Sequence, residues 1–226
     1  WGNAEPLRFY ELRHNPDSAT VNYEVGRFYA ELLETGADYI DDRQLVYDKA
    51  EYYFNRVLDL QPGNIEALVG LLILRISNSN YTDYSLSSRL NEALEHGRVS
   101  STGISAIRAL LRCQHSGECN FPEEIIRQLT DSIAENSNLH GRNAELVFAS
   151  ISRYYLGIDR LKALEMAKKG LDMNPESKDI RVYYTSMLIG LGREEEAAAE
   201  LEILKNRDML GIYREKIKDL EAALRN

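Results

Sequence analysis

The strongest constraint on the fold is a pattern that recurs after 34 residues in RNAELVFASISRYYLGIDRLKALEMAKKGLDMNPESKDIRVYYTSMLIGLGREEEAAAELEILKNRD. Sliding the sequence by that length lays Tyr154 on Leu188, Ile158 on Gly192, Ala163 on Ala197 and Met166 on Glu200. Apolar or small positions largely coincide and exposed ones do not, as expected where packing sets the period. Apolar residues recur at helical spacing, and no period-two alternation bounded by hairpin turns is present. The chain therefore reads as all-α, a series of antiparallel helix pairs. Ala163 and Ala167 are small because the first helix of their pair crosses close by, while Tyr154 and Leu188 fill the space between pairs. Asn174-Pro175 ends a second helix, since proline lacks the amide and restrains the residue before it. A new helix then starts near Lys178.

The same spacing recurs near the other end of the sequence. Ala4 precedes Pro16 by twelve residues, as Ala163 precedes Pro175, so residues 1–15 read as the second helix of a pair. NYEVGRFYAELLETG then supplies a first helix, with Gly26 at a close crossing, and QLVYDKAEYYFNRVLDLQPGN its mate. Gly26 and Ala50 stand 24 residues apart where the regular unit has 12, which predicts longer helices and a wide connection around Ala37 to Asp42. IEALVGLLILRIS, YSLSSRLNEALEHG, TGISAIRALLRCQ and PEEIIRQLTDSIAEN read as four further helices in irregular register, and Pro122, Glu123 and Glu124 suit a helix start. After Asp208, the residues Leu210, Tyr213, Ile217, Leu220 and Leu224 form one apolar stripe, predicting a capping helix over 209–225. The expected organisation is one domain over 1–226. Its units are 1–18, 19–63, 64–99, 100–139, 144–177 and 178–208, followed by that cap.

Composition narrows the function. With 44% apolar and 28% charged residues the chain belongs with folded proteins. Its net charge of -9, spread along the sequence, repels phosphate backbones and argues against nucleic-acid partners. The cluster Lys162, Lys168 and Lys169 is interleaved with Asp159, Glu165 and Asp172 and reads as a solvated helix face. No apolar run is long enough to cross a membrane, and no secretion signal opens the sequence.

Candidate chemistry is sparse. Cys113 and Cys119 either form a disulfide or remain two thiols. With His115 they make only three clustered metal-ligand candidates, so no metal site is expected. Cys113 and His115 point to different faces of a helix, which disfavours a nucleophile pair. Asp41-Asp42, Glu123-Glu124 and Glu194-Glu195-Glu196 fall at helix starts, where capping and the helix dipole explain them. No phosphate-binding glycine loop is present, so no nucleotide or other cofactor is expected. The reading is of a protein that binds without catalysing. Fourteen tyrosines against one tryptophan are the unusual side-chain feature. Tyr52-Tyr53, Tyr154-Tyr155 and Tyr183-Tyr184 come as adjacent pairs, in which one ring can pack inward while the other faces elsewhere. Tyr155 and Tyr183 are expected to border a groove.

These residues together resemble the tetratricopeptide repeat family, strongly over 144–207, well over 1–62 and weakly over 63–143. The resemblance implies a right-handed superhelical solenoid whose first helices line a concave, peptide-binding face. It assigns Tyr23, Arg27 and Ala30 of one unit to that face, with Phe148, Ser152 and Tyr155 of a second. A third unit contributes Val182, Ser186 and Ile189, with Tyr183 beside them. Family members that grip a carboxylate use lysine, asparagine and arginine together; here Arg27 lacks matching lysine and asparagine, which points instead to an aromatic or extended peptide.

A narrower resemblance rests on WGNAEPLRFYELRHNPDSATVNYEVGRFYAEL and LLRCQHSGEC. They look like the soluble repeat tail of bacterial multi-pass membrane proteins of the O-antigen ligase or protein O-mannosyltransferase type. That implies an extracytoplasmic accessory domain with Trp1 near the bilayer, and as partner a protein, a glycan acceptor or its own membrane domain. A cytoplasmic peptide-binding adaptor and an architectural homo-oligomer built through the last apolar stripe are the alternatives.

Overall fold

The computed structural model describes residues 4–35, 42–79 and 83–225. Among them are twelve α-helices and no strand, so the chain is all-α. The helices gather into two compact units, Trp1–Asn138 and Leu139–Asn226.

The first unit contains α1 (Ala4–His14), α2 (Ala19–Thr35), α3 (Arg43–Leu60), α4 (Ile65–Ser79), α5 (Tyr84–His96), α6 (Ser101–Ser116) and α7 (Glu123–Glu135). Helix α2 packs along α3, α3 on α4, α4 on both α5 and α6, and α5 on α7. At 17 and 18 residues, α2 and α3 have the extra length that the wide Gly26–Ala50 spacing predicts. The connection expected around Ala37 to Asp42 lies, apart from Asp42, outside the described residues. Asp42 itself caps α3, accepting a 2.9 Å hydrogen bond from the Leu45 amide.

Phe54 on α3 explains two glycines. Its buried ring is held between Gly26 of α2 and Gly70 of α4, where added Cβ atoms would lie 3.0 and 2.8 Å from ring carbons. Helix α4 is set against its neighbours by charge. Arg75 pairs with Glu51 at 2.8 Å and with Asp83, the N-cap of α5. Burial alone would raise the Asp83 carboxyl, but hydrogen bonds from the Leu86 amide and from Ser85, with the Arg75 guanidinium, outweigh it and hold it below the usual carboxylate range.

Cys113 and Cys119 are joined by a disulfide across the α6–α7 connection. Gln114 fixes the same connection from within, accepting from the Phe121 amide at 2.9 Å and donating to the Phe121 carbonyl at 3.1 Å. Gly117 turns the chain there with φ of 80°, a conformation that costs glycine least.

The second unit contains α8 (Gly141–Tyr155), α9 (Arg160–Met173), α10 (Lys178–Gly190), α11 (Glu194–Arg207) and α12 (Arg214–Leu224). Successive helices pack on one another, and α12 also touches α10. The positions that repeat across 34 residues behave alike where they are apolar: Tyr154, Leu188, Ala163 and Ala197 are all buried. The α9–α10 turn is tied back to α8 through Glu145, which accepts from Asn174 Nδ2 at 2.6 Å and Ser177 Oγ at 2.5 Å.

The last helix starts later than the stripe predicts. Gly211, at φ of 66°, turns the chain ahead of α12, and the helix begins only at Arg214. Leu210 therefore leaves the stripe and is 82% exposed. Leu220 packs with Leu201 and Leu204 against Val182, Ile189 and Ile217.

Candidate binding groove

The chain ends of α8 and α10 create a concavity. Helix α8 finishes at Tyr155 and α9 is started by Asp159, which accepts from the Leu161 and Lys162 amides at 3.0 Å each. Helix α10 ends at Gly190-Leu191, where Arg193 and Gly192 amides close onto the carbonyls of Leu188 and Ile189. Between these ends lies a groove of about 360 Å³ lined by Leu156, Arg160, Tyr183, Ser186, Met187, Gly190 and Leu191. Most of that lining is apolar, and a Cβ placed on Gly190 would meet nothing within 4 Å.

Tyr183 is held in place from beneath. Its hydroxyl shares a 3.2 Å hydrogen bond with Ser152 Oγ, which also donates to the Ala163 carbonyl at 2.7 Å. The Arg153 guanidinium stands 5.8 Å from the centre of the Tyr183 ring, within cation–π range. Among the described residues neither Arg153 nor Arg160 has a carboxylate within ion-pairing distance. The floor can thus accept an apolar side chain and Arg160 offers a positive charge to polar groups, while the Tyr183 hydroxyl is engaged by Ser152 and the Ser186 hydroxyl donates to the Tyr183 carbonyl at 2.7 Å.

The residues singled out from the sequence meet different fates. Tyr183 and Ser186 line the groove. Phe148, Ser152 and Tyr155 are 1%, 0% and 5% exposed, so they present no surface to a ligand. Ser152 supports Tyr183, and Tyr155 packs edge-on against Tyr154 with Lys162 Nζ 4.5 Å above its ring. Both rings of that pair are buried, so the inward and outward division expected for adjacent tyrosines does not hold there. In the Tyr183-Tyr184 pair it does: Tyr184 is buried and Tyr183 only partly covered. Val182 and Ile189 pack against the apolar cluster at the end of the second unit.

Tyr23, Arg27 and Ala30 belong to the first unit and are each half-buried. The Tyr23 ring lies 5.9 Å from Phe54, and burial raises its hydroxyl pKa, partly opposed by Arg27. Arg27 is paired with Glu24 at 2.9 Å and Glu31 at 3.2 Å on its own helix. Two carboxylates already occupy the guanidinium that a ligand carboxylate would need. The sulfurs of Cys113 and Cys119 are taken up by their disulfide and so are not thiolate ligands for a metal.

Leu156, Arg160, Met187, Gly190 and Leu191 line the groove without having been singled out from the sequence. The run Leu156-Gly157-Ile158, apolar residues placed in a turn, was a signal for Leu156 alone. In the structure Leu156 and Ile158 are 44% and 56% exposed. No protein-family model matches the sequence, and no curated protein matches it.

Proposed function

We propose that the chain is a non-catalytic binding module of tetratricopeptide-like helix pairs, and that its second unit takes an extended peptide in the α8–α10 groove. The observation that carries this reading is the groove itself: an open apolar floor, a fixed tyrosine, and an arginine without a carboxylate partner among the described residues. That combination favours a peptide with an aliphatic or aromatic side chain next to an aspartate, a glutamate or a terminal carboxylate. The solenoid part of the reading is supported by the 34-residue period and by the packing of α4 on α6 and α5 on α7, as nearest-neighbour stacking requires.

The Cys113–Cys119 disulfide supports an extracytoplasmic setting, because such bonds persist in oxidising compartments. An accessory role beside a membrane enzyme of glycan or glycoprotein assembly would suit that setting.

Selection of peptides from a random library on the full chain tests the groove. Enriched sequences are expected to pair an apolar residue with a carboxylate. Gly190→Trp places an indole at the groove from a Cβ position with nothing within 4 Å and is expected to weaken the selected peptides by about tenfold or more, with Arg160→Gln acting only on those carrying the acid. Peptides that bind both variants as well as the unaltered chain would refute the groove.

A further inference from the structure

Between α11 and α12 the second unit carries a projection of a different kind. Met209, Leu210 and Ile212 are 92%, 82% and 71% exposed, the three largest values among the exposed large apolar side chains of the described residues. They do not belong to a loose end. The Gly211 amide donates to the Asp208 carbonyl at 2.9 Å and the Tyr213 amide donates to Asp208 Oδ2 at 2.9 Å. With Gly211 at φ of 66° the turn is closed, and the backbone itself drives the three side chains outward. Asp208 is buried; its other oxygen lies 3.7 Å from Lys178 Nζ, which offsets its charge without a hydrogen bond.

Beside this tip is a cavity of about 240 Å³ lined by Lys205, Asp208, Met209, Gly211, Arg214, Ile217 and Lys218. Three of its lining residues are cations. Lys205 is held at 2.7 Å by both Glu202 and Glu221. Among the described residues, Arg214 and Lys218 have no carboxylate within 4 Å. The base of the tip is aromatic: Tyr213 lies under Lys178 and Lys216, whose amino groups stand 5.7 and 5.1 Å from its ring centre.

We propose that Met209, Leu210 and Ile212 insert into the surface of an anionic lipid bilayer while Arg214 and Lys218 hold lipid phosphates at the adjoining cavity. A convex tip of three aliphatic side chains has no hydrophobic groove to close over it. Three side chains at one turn are also a small contact beside the roughly 800 Å² per partner that a stable protein interface buries. An aliphatic point with cations at its margin and a tyrosine at its base instead matches the order of a bilayer, from acyl chain to headgroup. The overall charge of -9 does not prevent this, because repulsion from distant carboxylates is screened within about 8 Å at physiological salt. This surface is separate from the peptide groove, so either can fail without the other.

Co-sedimentation of the full chain with vesicles tests the proposal. Binding is expected to mixed phosphatidylcholine and phosphatidylglycerol vesicles, and to be weaker on phosphatidylcholine alone. The triple change Met209→Ser, Leu210→Ser and Ile212→Ser removes only exposed side chains and is expected to lower affinity by about tenfold or more while helicity by circular dichroism is unchanged. Arg214→Gln and Lys218→Gln are each expected to cost roughly fivefold on the anionic vesicles and to leave the neutral ones unaffected. A Leu210→Trp variant gives a direct readout: a blue-shifted emission component, absent from the unaltered chain, on mixing with anionic vesicles. The proposal is overturned if the unaltered chain does not sediment with anionic vesicles, or if the triple variant sediments equally well. It is also overturned if light scattering shows the unaltered chain dimeric and the triple variant monomeric, because the tip would then join two copies.

Discussion

Arg181 is 5% exposed on α10, paired with Glu200 of α11 and donating to the Pro175 carbonyl at 2.7 Å. A buried guanidinium is tolerable only while its partners stay in place, since an uncompensated buried charge costs more than the pair contributes. Glu200→Gln is therefore expected to destabilise the fold by about 3 kcal/mol in urea unfolding. Exchanging both partners for apolar residues, Arg181→Met with Glu200→Leu, is expected to restore most of it. Equal losses for the single and double changes would show that the pair is not what matters there. The sequence hid this contact, because Glu200 lies opposite Met166 in the 34-residue comparison and looked like an exposed position. Arg27 shows the reverse. Glu24, Arg27 and Glu31 stand at the spacings that pair on a helix, so its loss to neighbouring carboxylates was legible in the sequence itself.

At the scale of elements, helix identity was legible because apolar period, caps and breakers agree. Asp159 and Ser177 cap α9 and α10 as their sequence positions suggest, and Asn174-Pro175 separates the two. The face that each helix turns inward was harder to read. On α8 a wide arc from Ala144 to Tyr155 is buried, so Phe148, Ser152 and Tyr155 form a stripe of regular spacing that serves packing and leaves the groove to α10. Groove residues such as Leu156 and Leu191 sit at helix ends, where exposure depends on which ends converge and not on local pattern. The α6–α7 connection gives a sharper test of what fixes an element. Its disulfide closes a short loop, which on chain-entropy grounds stabilises by about 2 kcal/mol. Cys113→Ser with Cys119→Ser is expected to lose that amount in urea unfolding, and reductant to do the same to the unaltered chain. Because Gln114 brackets Phe121 independently, amide protection in α6 and α7 is expected to persist. Loss of protection throughout α6 and α7 would mean that the disulfide alone holds the connection.

Within the second unit, the decisive property is that each helix packs on its neighbours in sequence. Phe148, Ile151, Leu164, Leu171, Ile180, Leu188 and Leu204 are buried residues that belong to the second unit, and its helices pack on one another in sequence order. Where helices pack mainly on their sequence neighbours, stability is close to a sum of neighbour terms, which makes independent folding of this unit a testable expectation. A chain limited to residues 139–226 is expected to remain helical by circular dichroism and to unfold cooperatively in urea. Its denaturant dependence is expected to be smaller than that of the full chain, because less surface is exposed on unfolding. The same fragment carries both the groove proposed for a peptide and the tip proposed for lipid, so under those proposals it is expected to retain binding at both. A fragment with helical content but no cooperative transition would place part of its stability in the residues before 139. In that case the 34-residue period would describe helix pairs that need a longer array than the second unit provides.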